Sequence, residues 1–307
     1  MSILKYILLF IHFILSTSKI CNVLSFSGGG SFGALEIGIL DKIKLPEYDM
    51  ITGISAGGLN AGFLSYYNNK NNLYDGIENI KKIITTLKNE DVYYRDIYNF
   101  RKKWSYYNTQ PLNDTLRKHL NKSNISNKPT IVGATDINLG VLKLFEFEKY
   151  NLDDQVNILL ASSAIPFAFP PVKINDTIYV DGGLISNEIL IGISSYLPGC
   201  DTYNITFISP NQNIISDYNI SYFENFIGRI ISLIYYTFND QIKMVFHDSC
   251  KDSQNKIYYY YPDPKYFSNY SHLNFNYGKE LLNIGYNHHK HTILSYCLNN
   301  DKQNIYV

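Results

Sequence analysis

Ser55 stands in the run Gly53-Ile54-Ser55-Ala56-Gly57. A serine with glycine two places to either side suits a nucleophile elbow, a sharp strand-to-helix turn that pushes the hydroxyl into the open while the glycines relieve crowding. A hydroxyl is a weak nucleophile and needs a base. Asp181, in Asp181-Gly182-Gly183, follows the apolar run Ile178-Tyr179-Val180. Its carboxylate would emerge at a strand end, where the active-site residues of open α/β sheets collect. A third cluster, Gly28-Gly29-Gly30-Ser31-Phe32-Gly33, follows another apolar run. Glycines there bare backbone N–H groups that can point at a developing oxyanion. Together the clusters supply the parts of acyl transfer: nucleophile, base and oxyanion donors. Taken singly, Asp-Gly-Gly and Gly-Gly-Gly are also ordinary turns.

Two rival chemistries use the same residues. Gly28-x-Gly30-x-x-Gly33 matches a dinucleotide-binding fingerprint, with Asp49 about 20 residues on as the ribose ligand. Against it, Asp49 precedes the apolar run Met50-Ile51-Thr52 instead of ending it, and that run leads straight into the elbow. The second rival is a Ser-His-Asp triad, which would draw on His247, His272, His288, His289 or His291. None of these lies in a glycine-rich or strand-end setting, and Ser55 comes only about 25 residues after the glycine loop, early for that arrangement.

The elements needed to position these groups are legible. Val23–Ser27 reads as a buried strand, and Leu35, Ile39, Leu40 and Ile43 mark a helix that Pro46 stops. Tyr48–Ile54 is a second strand, and the small residues from Ser55 onward suit a closely packed helix. Alternation of this kind predicts a parallel sheet flanked by helices. Helical spacing recurs through Ile77, Ile80, Ile84 and Leu87, and again over 151–161. Strands are expected at 130–136, 141–147, 178–180, 204–208 and 256–261. A long amphipathic helix is expected over 223–246 and a closing helix over 278–298. The stretch from Tyr93 to Tyr107 interleaves aromatics with Arg95, Arg101, Lys102 and Lys103, a mixture that suits an exposed helix or lid and also a membrane surface.

The 307 residues include 27 Lys plus Arg and 27 Asp plus Glu, and this neutral balance removes the broad electrostatic footprint of a nucleic-acid binder. At 45% hydrophobic residues the chain is too apolar for disorder. Four cysteines, without any Cys-x-x-Cys spacing, give neither a zinc site nor a disulfide-built fold, and they leave one or two bridges open. Residues 1–18 have the layout of a signal peptide: a lysine, a short apolar run and Ser16-Thr17-Ser18, with Lys19 as the expected mature N-terminus. Seven Asn-x-Ser/Thr sequons add little, because the chain is rich in asparagine.

The three clusters, in their order, resemble the patatin-like phospholipase family over Val23 to Glu188. Ala134-Thr135-Asp136 and the run from Ala161 to Phe167 add to the likeness. The resemblance implies a three-layer α/β/α fold with a central, mostly parallel sheet, spanning 19–307 after the leader. It implies a lipid acyl hydrolase acting on lipid or membrane-surface substrates, with neither metal nor cofactor. Carried over, it makes Ser55 the nucleophile, Asp181 the base and Gly28, Gly29 and Gly30 the oxyanion loop, with Gly33, Gly53, Gly57, Gly182 and Gly183 supporting the motifs. Two positions depart from the family pattern, Ser27 where aspartate is frequent and Phe32 where a basic residue is frequent. These departures favour neutral lipids, or a lipid-binding protein of reduced activity.

Overall fold

The computed structural model describes residues 18–43, 47–67, 73–96, 104–120, 127–190, 192–210 and 255–295. The helix expected over 223–246, most of the leader, His247, Cys250 and Cys297 lie outside these residues.

A nine-stranded sheet runs through the molecule. Its centre is five parallel strands, in spatial order β10 (Lys256–Pro262), β9 (Thr202–Ile208), β1 (Ile20–Phe26), β2 (Met50–Ile54) and β5 (Thr130–Asp136). β2 is wholly buried and β1 is buried from Val23 to Phe26, as expected of apolar runs in the middle of a parallel sheet. The edges are antiparallel: β11 (His289–Ser295) on β10, and β6 (Val141–Glu146), β8 (Thr177–Asp181) and β7 (Val172–Ile174) beyond β5.

Strand alternation sends side chains to two cores. Leu24, Phe26 and Ile51 pack on Leu35, Ile39 and Leu40 of α1 (Gly33–Ile43), on Ile77 and Ile80 of α3 (Leu73–Thr86), and on Leu281 of α6 (Gly278–Asn287). Val23, Met50 and Ile54 face the opposite way, joining Ile205, Phe207 and Ile257 under Ile189, Leu190 and the helical turn at Ile193–Tyr196. Beside the first core, α2 (Ala56–Ser65), α4 (Gln110–Leu120) and α5 (Leu152–Ser162) cover β5, where Val132 and Ala134 meet Leu116, Val156 and Leu159. Helices therefore sandwich a mostly parallel sheet, the three-layer α/β/α arrangement expected from the sequence.

One expectation fails. The closing helix over 278–298 ends at Asn287, and His289–Ser295 forms β11, antiparallel to β10. Helical spacing persists only through Leu281, Leu282 and Ile284. Beyond it, half-buried Thr292 and Leu294 alternate with exposed His291 and Ile293, a period of two that suits an edge strand. The middle of the Tyr93–Tyr107 stretch, residues 97–103, where the helix or lid was expected, lies outside the described residues. At its described ends β3 (Tyr94–Arg95) and β4 (Tyr107–Asn108) pair as an antiparallel ribbon. Cys21 of β1 is bonded to Cys200, which precedes β9, with Cα atoms 5.8 Å apart, so one of the bridges left open by the sequence joins adjacent parallel strands.

Candidate active site

β5 brings Ser55 and Asp181 together. β6 lines one edge of β5 from Ile131 to Asp136. The other edge is shared: β2 climbs it until Ile54 pairs with Gly133, and β8 descends it until Asp181 pairs with Ala134. Two strands running toward each other thus stop at consecutive β5 residues. The residue after one and the last residue of the other face across the junction. Ser55 Oγ donates to Asp181 Oδ2 at 2.6 Å, while Asp181 Oδ1 accepts from Gly183 N at 2.8 Å.

Ser55 has φ 55° and ψ −124°, a sparsely populated conformation for a residue with a side chain, costing on the order of 1–3 kcal/mol. It occupies the N-cap of α2, where serine ordinarily caps the helix, yet its hydroxyl makes no capping bond. The hydroxyl is turned to Asp181 instead. Both residues are buried, Ser55 at 1% and Asp181 at 3% exposure. Burial raises the Asp181 carboxyl from 3.8 to about 7, against the opposing pull of the Ser55 and Gly183 hydrogen bonds. A carboxyl tuned near neutrality can take a proton and give it back.

The flanking glycines of the elbow sit where a Cβ could not. One built on Gly53 would lie 2.1 Å from Gly57 O, and one on Gly57 would lie 2.3 Å from Ser27 O. The second contact presses the start of α2 against the glycine loop. Within that loop Gly30 has φ +58°, and a Cβ there would meet His272 O at 2.2 Å. Gly28 is tied to a distant part of the chain. Its N–H is held by Asn187, through the carbonyl at 3.2 Å and Oδ1 at 3.0 Å. Gly29 N and Gly30 N make no hydrogen bond to another described residue, so they are the loop's available donors. Gly33 opens α1, and Gly182 and Gly183 turn the chain after Asp181.

Four polar residues complete the frame. Ser162, closing α5, accepts from Ser55 N at 2.9 Å and donates to Gly133 O at 2.6 Å, tying the elbow to β5. Glu36 of α1 is fully buried, accepting from Ser27 N at 3.1 Å and from Asn60 Nδ2 at 2.9 Å, and burial holds its carboxyl well above the ordinary range. Asn60, on α2, also donates to Gly33 O at 3.1 Å. Ser162 lies in a run the sequence had marked, without a role. Glu36, Asn60 and Asn187 carry no local signal, apart from the oddity of a glutamate on the apolar face of α1.

The departures at Ser27 and Phe32 are absorbed by packing. Ser27 Oγ bonds Ser209 Oγ at 2.8 Å, and Phe32 is buried edge-on against Phe267 at 5.2 Å. Of the groups the rival chemistries would use, His247 lies outside the described residues and His272 adjoins the glycine loop, while the others sit apart from Ser55. Asp49 accepts from Asn22 N before β2 begins. That leaves the length of the five-residue strand, roughly 16 Å, between it and the glycine loop's end of the sheet. His288, His289 and His291 sit at the end of α6 and on the edge strand β11, and His272 packs on Phe32, its imidazole lowered to about 4 by burial. Among the described residues no three His, Cys, Asp or Glu side chains gather as a metal site would need.

A cavity of ≈ 700 Å³, open solvent included, has Gly30 of the glycine loop and Ala56, the residue after Ser55, in its lining. It runs between helices past Leu59, Phe63, Ile84 and Leu116. Its walls are nearly all apolar, as is usual for small-molecule sites.

A sequence model of patatin-like phospholipases matches residues 24–191. Among solved structures, VipD from Legionella pneumophila is 13% identical with a TM-score of 0.36, over 90% of this chain and 68% of that one. No curated protein matches significantly.

Proposed function

The chain belongs to the patatin-like phospholipase family, and from that premise we propose that it hydrolyses acyl esters of lipids, with Ser55 as nucleophile and Asp181 as base. The observation that carries the assignment is the 2.6 Å hydrogen bond from Ser55 Oγ to Asp181 Oδ2 inside a buried junction. Ser55 Oγ attacks the ester carbonyl as its proton passes to Asp181. The tetrahedral oxyanion is held by Gly29 and Gly30 N–H and favoured by the positive end of α2. Collapse expels the alcohol, which takes the proton back from Asp181 and leaves an acyl-enzyme. Water, deprotonated by Asp181, then attacks the acyl carbonyl, and the fatty acid leaves as the proton returns to Ser55.

The cavity lined by Gly30 and Ala56 supports a long apolar acyl group, because each methylene transferred from water to such walls contributes about 0.8 kcal/mol. The buried packing of Phe32 leaves that position of the glycine loop without a cation for an anionic headgroup, which supports neutral or zwitterionic lipids as substrates. The leader-like residues 1–18 and the Cys21–Cys200 bridge support a secretory location, since disulfides persist in oxidising compartments.

The test is labelling by a fluorophosphonate probe, followed by a panel of phospholipids and triacylglycerols. Wild type is expected to label at Ser55 and to release fatty acid, whereas Ser55→Ala should do neither. Labelling at another serine would overturn the assignment.

A further inference from the structure

The chain has one tryptophan, Trp104, and it is 70% exposed. Phe167, in a different loop, is 59% exposed. Both hold left-handed backbone conformations, φ 53° at Trp104 and φ 66° at Phe167. Bulky residues rarely accept that conformation, so two of them spending strain to face water is unusual. They are neighbours, because Ser105 forms a parallel bridge with Phe167, Tyr106 N donates to Phe167 O at 2.9 Å, and Tyr107 N donates to Ala168 O at 2.9 Å.

The underside of this pair reaches both halves of the candidate site. Tyr107, Ile165, Ala168, Phe169 and Leu273 form a small core of their own. Ala164, three residues before Phe167, accepts from Asp181 N at 2.9 Å. His272, beside Leu273, accepts from Ser31 N at 2.7 Å and packs against Gly30. The exposed aromatics therefore crown a platform that spans from the base to the glycine loop. At the same end of the sheet, just past β5, Ile137 and Leu139 are exposed, with Ile178 against Ile137.

We infer that Trp104 and Phe167 dock the protein on a zwitterionic lipid surface and bring its ester toward Ser55. The inference rests on the lipid-hydrolase reading, because it is the buried dyad that requires substrate to pass from a lipid aggregate into the protein. A bilayer interface fits these residues better than a protein groove. Tryptophan favours the headgroup region, and two rings standing clear of their surroundings can enter it without a complementary cavity.

Trp104 is its own reporter. On adding phosphatidylcholine vesicles to the full chain, its emission should shift to the blue and be quenched by brominated acyl chains. Phe167→Asp should weaken vesicle partitioning about 10-fold or more, the scale of burying one phenylalanine. Trp104→Ser, followed by vesicle flotation, should do the same. Both variants should hydrolyse a soluble short-chain ester within about twofold of wild type while losing most activity on vesicles, since roughly 1.4 kcal/mol of docking energy is one decade in partitioning. Trp104 emission unchanged by vesicles would overturn docking even in an active enzyme. A blue shift that follows protein concentration without lipid would assign the patch to a second copy of the chain instead. Quenching by brominated lipid in a chain that hydrolyses no ester would uphold docking and defeat the hydrolase reading, so the two fail separately.

Discussion

Asp181 and Glu36 are both buried carboxyl groups, both raised by desolvation, and they flank the same helix, α2. Their partners differ. Asp181 accepts the hydroxyl of a strained serine and one backbone N–H, leaving an oxygen at the mobile proton of Ser55. Glu36 accepts the Ser27 backbone N–H and the Asn60 amide, so its oxygens are fixed between the glycine loop and α2. A perturbed carboxyl thus marks a candidate without assigning its task. The task follows from whether the group faces a transferable proton or a pair of structural donors.

The sharpest way to break this contrast is to neutralise each carboxyl. Asp181→Asn should lower turnover by about 10³–10⁴-fold, the range for a lost general base. It should also stabilise the fold at alkaline pH. The native carboxyl at about 7 holds a proton that the unfolded chain, near 3.8, has released. Its contribution to stability is therefore fully present below the lower value and lost as pH rises through the higher one. Asparagine removes that loss, worth roughly 4 kcal/mol at the limit. Denaturant melts at pH 6 and pH 9 would show it, and a variant no more stable at pH 9 would contradict the buried-acid assignment.

Next in size is the loop that Glu36 steadies. Gly30→Ala forces a methyl group onto His272 O and should cost about 100–1,000-fold in turnover, as for a lost oxyanion donor, with probe labelling of Ser55 slowed in parallel. Glu36→Gln puts a donor against the Asn60 amide and should cost about 10–100-fold through misplacement of the loop. Its decisive readout is the pH profile. Wild-type kcat/KM should rise to a plateau with its midpoint near the Asp181 value of about 7, and Glu36→Gln should lower the plateau without moving the midpoint. A moved midpoint would make Glu36 a participant in proton transfer. The smallest effect belongs to Ser162→Ala, which leaves Ser55 N without its acceptor and should destabilise the fold by about 1–3 kcal/mol in a thermal melt.

The contrast also explains what was legible in the sequence. The elbow, the glycine loop and Asp-Gly-Gly are readable because close approach of backbone to backbone admits only glycine, so geometry leaves a local spacing. Most of the strands and helices from Val23 to Asp181 were likewise readable from apolar runs and their stops, but α4 and the short strands β3, β4 and β7 were not. Glu36, Asn60, Ser162 and Asn187 were not readable, because each is defined by a partner distant in the chain. The tie between Gly28 N–H and Asn187, 159 residues away, was hidden for the same reason. The cysteine pairing needed the alignment of β1 with β9, and β11 was hidden because its few alternating residues follow directly on a true helix.

The Cys21–Cys200 bridge joins residues 179 apart in sequence and closes a ring that contains every group of the candidate site, from Gly28 through Ser55 to Asp181 and Asn187. By chain entropy a closure of that size limits the unfolded ensemble by about 5 kcal/mol. Its topological effect is more particular. A protease that nicks any single peptide bond inside the ring opens a loop but releases no fragment, so Ser55 and Asp181 stay covalently tethered on either side of the cut. In an oxidising, protease-rich environment the ring makes a nicked chain a repairable assembly; on reduction the same nick would let the two halves of the site diffuse apart.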